Sequence, residues 1–245
     1  MTVSTSTSTS EAVRPLGVAR RGSVCLTLLT GCVLALPALV LGWQLAHDTL
    51  GPNPLERVIR APGQWSLLLL LAALAISPLR QALVFLAQRL GFRPGRRMSD
   101  WNGLIRVRRA IGLASFAYAA AHLTLYLALD AGFDWREVLL DLQERTHVCA
   151  GIAAFILLFP LALTSTDRWQ RRLKRNWKRL HLLTYPAAVL AVLHFLWLTK
   201  PGVTEPYAYA AALALLLVWR IVMRLRAGGA ASNRLDDEAP ERPAK

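Results

Sequence analysis

The apolar residues of this chain come in long blocks, and no other feature restricts its fold as much. A soluble domain of similar size interrupts its hydrophobic residues at helix or strand period. Here six stretches run nearly unbroken: Val24–Ala46, Gly63–Leu79, Ile111–Leu129, Val148–Ser165, Leu180–Leu198 and Tyr207–Val222. Most approach the roughly 20 residues that cross about 30 Å of hydrocarbon as a helix. The second is the weakest, because Pro62 and Pro78 bracket it, and it spans if its flanks dip into the interface. The blocks predict an all-α, polytopic membrane protein, a bundle of six transmembrane helices. With 54% hydrophobic and 18% charged residues, the composition agrees.

A formal net charge of +14 invites a nucleic-acid partner, but the charge alternates along the chain. The link between the second and third blocks carries Arg80, Arg89, Arg93, Arg96, Arg97, Arg106, Arg108 and Arg109, and the fourth link carries seven basic residues from Arg168 to Arg179. The third link holds Asp130, Asp134, Glu137, Asp141 and Glu144 against Arg136 and Arg145, while the first and fifth are close to neutral. Such alternation is the positive-inside pattern and places both termini in the cytoplasm. Topology therefore accounts for the charge and argues against nucleic acid. The same arginines suit anionic membrane lipids.

Composition divides the chain into a disordered Ser/Thr-rich cytoplasmic head (1–22), a six-helix transmembrane domain (23–226) and a disordered cytoplasmic tail (227–245). The apolar run after Arg20 and Arg21 exceeds the 7–15 residues of a signal-peptide core, so the first span reads as uncleaved. Cys25, Cys32 and Cys149 are too few and too scattered for a disulfide framework or thiolate cluster. Trp43, Trp65, Trp135, Trp169, Trp177 and Trp197 fall near the block ends, as an aromatic belt does. The hydroxyls of Thr164, Ser165 and Thr166 read as a helix cap or a phosphate contact, capping being the simpler role.

The histidines carry the chemistry. His122, His181 and His194 lie in or at the edge of apolar blocks, where an imidazole must find a partner without water. Entering from the cytoplasmic side, the third span reaches His122 thirteen residues after Arg109, and the fifth reaches His194 fourteen residues after Leu180. At 1.5 Å per residue both stand about 20 Å from that edge. Parallel helices with histidines at one level form a pair of axial ligands that grip a haem from both faces. The alternative for each is a hydrogen bond to a neighbouring helix. Zinc fits less well, since no third or fourth ligand shares the level. Tyr126 and Phe195 either line a porphyrin pocket or simply pack.

His181, at the cytoplasmic start of the fifth span, suits a second haem. Fourteen residues before His122, the facing slot on the third span holds Arg108, which stays protonated and suits a haem propionate or flavin phosphate rather than iron. On a straight helix His181 and His194 point about 140° apart, and Pro186 between them is a candidate kink. His47 and His147 read as interfacial, solvated or hydrogen-bonded groups, His147 being nearer the level of the His122–His194 pair.

Three motifs together resemble the YedZ/MsrQ family. They are Arg109–Ala110–Ile111–Gly112–Leu113 leading to Ala121–His122–Leu123–Thr124–Leu125–Tyr126; Leu161–Ala162–Leu163–Thr164–Ser165–Thr166 followed by Trp177–Lys178–Arg179–Leu180–His181–Leu182–Leu183–Thr184–Tyr185; and His194–Phe195–Leu196–Trp197. The resemblance covers roughly Pro54 to Arg226. It implies the haem-binding membrane subunit of a bacterial periplasmic methionine sulfoxide reductase system, within the wider ferric-reductase-like group. It also implies a b-type cytochrome of the inner membrane with one or two haems, and FMN as a further cofactor. The partner so implied is a periplasmic molybdopterin-containing reductase, and the donor a quinol or a cytoplasmic flavin reductase. By that resemblance His122, His181 and His194 are haem ligands, and Arg108 stands where wider relatives place a fourth histidine. Nothing resembles a soluble NADPH- or FAD-binding domain, so the donor is expected to be separate. A stand-alone ferric reductase and a histidine-dependent proton-coupled transporter are the competing expectations.

Overall fold

The computed structural model describes residues 16–91, 102–200 and 202–237, with side chains over 29–91, 107–200 and 202–226. In chain order the elements are α1 (Leu16–Ala46), α2 (Pro54–Arg89), α3 (Asn102–Leu125) running into a π-helical turn at Tyr126–Asp130, α4 (Trp135–Glu144), α5 (Thr146–Leu163), α6 (Asp167–Leu173), α7 (Arg175–Leu180), a 3-10 turn at His181–Leu183, α8 (Thr184–Leu198) and α9 (Glu205–Asp237). No strand occurs among the described residues. Six segments are long and apolar enough to cross a membrane: Leu29–Ala46, Pro54–Arg89, Val107–Asp130, Thr146–Leu163, Arg175–Leu198 and Glu205–Arg226. The chain is an all-α, multi-pass membrane protein.

One expectation is corrected. The second span is not cut short by its prolines: one helix of 36 residues contains both Pro62 and Pro78. Proline removes one N–H and crowds the carbonyl four residues back, a loss that a transmembrane bundle tolerates because neighbouring helices satisfy the freed groups. Helix α1 begins at Leu16 and α9 ends at Asp237. Leu, Ala and Arg, all strong helix formers, recur at both of these ends. Residues 1–15 and 238–245 of the expected head and tail lie outside the described residues.

Packing builds two main helix pairs, α2 with α3 and α5 with α8; α9 closes on α2 and α8, and α1 touches α2 and α3 from outside. Leu67, Leu70, Leu71 and Leu74 recur on one face of α2 and bury against Leu158 and Leu161 of α5, Ala187, Ala188 and Val192 of α8, and Leu213 of α9. Lipid is as apolar as this core, so helices gain mainly from close approach, which small residues permit. Ala187 and Ala188 are wholly buried, whereas Leu39 and Leu215 are 66% and 70% exposed on the outer face.

Polar groups set register. Ser66 Oγ donates to the Ser115 carbonyl and Ser115 Oγ donates to the Ser66 carbonyl, both at 2.9 Å, a reciprocal clasp between antiparallel α2 and α3. Tyr118 OH donates to the Leu34 carbonyl at 2.8 Å and accepts the Ala38 N–H at 3.2 Å. In a regular helix those two backbone groups bond each other; the hydroxyl stands between them, one residue past Pro37. Thr164 Oγ1 and Ser165 Oγ donate back to the carbonyls of Pro160 and Leu161 at 2.7 and 2.6 Å, capping the end of α5.

Candidate functional site

His122 near the end of α3 and His194 near the end of α8 meet at the end of the bundle where α2 and α5 begin. Their ring centroids are 6.1 Å apart and their planes cross at 69°. His122 Nδ1 lies 2.7 Å from the carbonyl of Ile59 on α2, and His194 Nδ1 lies 2.6 Å from the carbonyl of His147 on α5. A carbonyl only accepts, so each Nδ1 carries the proton and donates. In the neutral imidazole this places the proton on Nδ1 and leaves each Nε2 with its lone pair free. Neither Nε2 has a hydrogen-bond partner among the described residues.

Both rings line a cavity of about 450 Å³, within the range of small-molecule sites. Leu67, Leu70, Phe155 and Leu158 supply apolar walls; Tyr126 and Phe195, singled out from sequence, line it too, and Arg60 and Arg145 stand among its polar groups. Tyr126 OH donates to Asp141 at 2.7 Å, and Arg145 pairs with Asp141 at 3.2 Å and Asp130 at 3.8 Å. The π-helical turn that begins at Tyr126 thus enters a charged rim.

No three His, Cys, Asp or Glu side chains converge as a metal cluster among the described residues. Two neutral imidazoles on a broad apolar cavity match a metal that arrives with its remaining ligands in place. With metal–imidazole bonds of about 2 Å, two rings facing one ion have centroids roughly 6 Å apart, which the observed separation fits. The donor set therefore suits a haem.

His181 is placed differently. It opens the 3-10 turn between α7 and α8, so the fifth span is not one straight helix, and the phase expected from 3.6 residues per turn does not apply across it. Pro186 falls in the first turn of α8, where its missing N–H leaves no bond unmade. His181 Nδ1 donates to the Trp177 carbonyl at 3.1 Å and the ring stacks on Trp177 at 3.9 Å; Trp177 Nε1 in turn donates to the Thr164 carbonyl at 3.0 Å. No second histidine meets it among the described residues. Arg108 donates to Ser77 Oγ at 3.3 Å and lies in electrostatic range of His181, Tyr185 and Arg220. Arg220 donates to Tyr185 OH and, at 3.1 Å, to the Leu74 carbonyl. The buried Nε atoms of Arg80 and Arg220 have no partner among the described residues.

The remaining histidines separate. His147 contributes its carbonyl to His194, and its ring stands 5.9 Å from that of His194. His47 bonds the Trp43 carbonyl at 2.9 Å and stacks on Trp43, apart from the cavity. Sequence reasoning missed Gly63 and Gly151, which lie directly against the rings of His122 and His194; a glycine interrupting an apolar span was the only signal.

The family model described as ferric reductase like transmembrane component matches residues 62–192. The protein-methionine-sulfoxide reductase heme-binding subunit MsrQ of Xanthomonas campestris pv. campestris (strain B100) is 44% identical over 207 residues, covering 82% of this chain and 87% of the relative. The protein of the same name from Xanthomonas axonopodis pv. citri (strain 306) is 42% identical over 214 residues, covering 85% and 90%. That from Azospira oryzae (strain ATCC BAA-33 / DSM 13638 / PS) is 40% identical over 196 residues, covering 79% and 77%. The family match runs from α2 into α8, the helices that assemble the cavity, and the chain belongs to the ferric-reductase-like transmembrane family and, within it, to the MsrQ heme-binding subunits.

Proposed function

We propose that this chain is a b-type cytochrome subunit that carries electrons across the bacterial inner membrane to a periplasmic methionine sulfoxide reductase. The observation that carries the reading is the His122–His194 pair: two neutral imidazoles, 6.1 Å between centroids, on one apolar cavity. The names of the relatives, heme-binding subunits of protein-methionine-sulfoxide reductase, supply the reaction it serves.

In this reading His122 and His194 are the residues that would hold the haem iron. When bound, a haem supplies one-electron exchange between ferric and ferrous iron. The chain's own residues do the rest. The Ile59 and His147 carbonyls hold the rings in one tautomer and raise their basicity. With both imidazoles engaged, an iron held there would be closed to small ligands, which suits electron transfer. Leu67, Leu70, Phe155 and Leu158 exclude water and so keep the local dielectric low.

The basic second and fourth links support a topology with both termini in the cytoplasm; in that topology the histidine pair lies in the outer half of the bilayer, beside a periplasmic acceptor. His181 then lies at the inner level as ligand of a second haem, with Arg108 toward a propionate or the phosphate of FMN. Donor electrons come from a quinol or a cytoplasmic flavin reductase, and the acceptor carries molybdopterin. The sulfoxide chemistry belongs to that partner, while this subunit binds, orients and tunes.

The test is a dithionite-reduced minus oxidised spectrum of the detergent-purified chain with pyridine haemochrome quantification. One or two b-type haems per chain are expected. A folded chain grown with haem available that carries none overturns the reading.

A further inference from the structure

We infer that Gly63 and Gly151 are positioning residues, each uncovering the flank of a helix carbonyl so that an imidazole from the facing helix docks there and is held at one rotation about the cavity. The inference rests on the cytochrome reading. His122 bonds the carbonyl of Ile59 and packs on Gly63; His194 bonds the carbonyl of His147 and packs on Gly151. In both cases the glycine follows the accepting residue by four positions. A helix carbonyl already takes the N–H of the residue four later, and its second lone pair remains for the imidazole. Helical Cα–Cβ bonds tilt toward the N-terminus, so any side chain at that fourth position leans over the carbonyl in question. Only glycine leaves the approach open.

The distances grade the two seats. A Cβ on Gly151 would stand 2.7 Å from His194 Nδ1 and 2.9 Å from Cε1; on Gly63 it would stand 3.1 Å from His122 Nδ1 and 3.2 Å from Cε1. The rigid ring is tied at Nδ1 and has no flexible end to yield, so Gly151→Ala displaces His194 outright and Gly63→Ala crowds His122. Gly112 of α3 meets nothing within 4 Å and serves as the control. By helix propensity alone, alanine for glycine in a helix interior is stabilising, so glycines without a positioning role predict more stable variants with an unaltered cofactor.

The experiment compares the full-length wild type with G151A, G63A and G112A, each purified in detergent after growth with haem available. It reads haem per chain, midpoint potential and the low-spin ferric electron paramagnetic resonance signal, with far-UV circular dichroism as the check on folding. G151A is expected to hold haem about 10- to 100-fold more weakly, the usual cost of a lost outer-shell partner. Its residual haem shifts to higher potential, because an imidazole without its acceptor donates less to ferric iron. G63A is expected to keep its haem with a smaller shift in potential and signal, and G112A to match wild type. Should G151A fail to fold, G63A carries the test. A haem-loaded wild type with G63A and any folded G151A unchanged in all three readouts overturns the inference alone; a wild type that takes up no haem overturns the cytochrome reading beneath it and the inference with it.

Discussion

At one end of the bundle two imidazoles hang from carbonyls of neighbouring helices, Ile59 for His122 and His147 for His194. Toward the other end a single imidazole bonds its own chain four residues back, at Trp177, and stacks on that same tryptophan. An inter-helix bond ties ring orientation to bundle packing, so the paired site exists only when α2, α3, α5 and α8 are all in place. A bond within one turn fixes the ring locally and leaves open what faces it. Around His181 the polar groups are arginines, Arg108 and Arg220, bonded to Ser77, Tyr185 and the Leu74 carbonyl. One end is built as a matched donor pair; the other offers one donor beside positive charge.

The largest effect comes from breaking the pair. Replacing His122 or His194 with alanine is expected to remove one haem from each chain, because both imidazoles would be needed to hold it. The reduced-minus-oxidised spectrum and haemochrome yield read this directly. If both variants keep wild-type haem and spectrum, the paired site is not a ligand pair. His181→Ala sharpens the contrast from the other side: the spectrum and potential of the paired site stay as in wild type, while a chain that carries two haems loses about one and a chain that carries one keeps it. Loss of the paired-site signal in that variant would mean that the two ends are not independent.

The contrast also explains what the sequence could reveal. Six spans were legible because lipid demands long apolar blocks, and the match in depth of His122 and His194 was legible because a helix rises by a constant step. Pro62 and Pro78 misled because proline marks a helix end in water, where freed groups hydrate, whereas the bundle here keeps α2 continuous. The inner end resisted for a different reason. The 3-10 turn at His181–Leu183 resets the angular phase, so counting residues from His181 to His194 at 100° each does not describe where they point. The carbonyls of Ile59 and His147 carry no side-chain signature at all, since any residue offers one. Gly63 and Gly151 become meaningful only once the facing ring is known.

A smaller effect tests how the paired end keeps its register. The Ser66–Ser115 clasp lies three residues from Gly63 on α2 and seven from His122 on α3. Ser115→Ala removes one of its two hydrogen bonds, worth about 1 kcal/mol, and polar bonds between membrane helices fall at or below that value. A lower thermal midpoint of the detergent-solubilised protein is expected, with the S66A/S115A pair lower still. A double variant as stable as wild type would assign the α2–α3 register to leucine packing alone.

The smallest effect belongs to α1, which the paired site does not touch. Tyr118 OH occupies the gap between the Leu34 carbonyl and the Ala38 N–H, a place where an inserted group bends a helix, and Pro37 stands beside it. In Tyr118→Phe the two backbone groups are free to close on each other, so the net loss stays below about 1 kcal/mol. The expected change is geometric: the segment of α1 after Pro37 re-aims, altering the distance between spin labels at the exposed Leu45 and Tyr207, while haem content and potential remain those of wild type. An unaltered distance would assign the course of α1 to Pro37 alone. A changed potential would mean that α1, which packs on α2 and α3, reaches the paired site through α3, and that the two imidazoles are seated by three helix contacts instead of two.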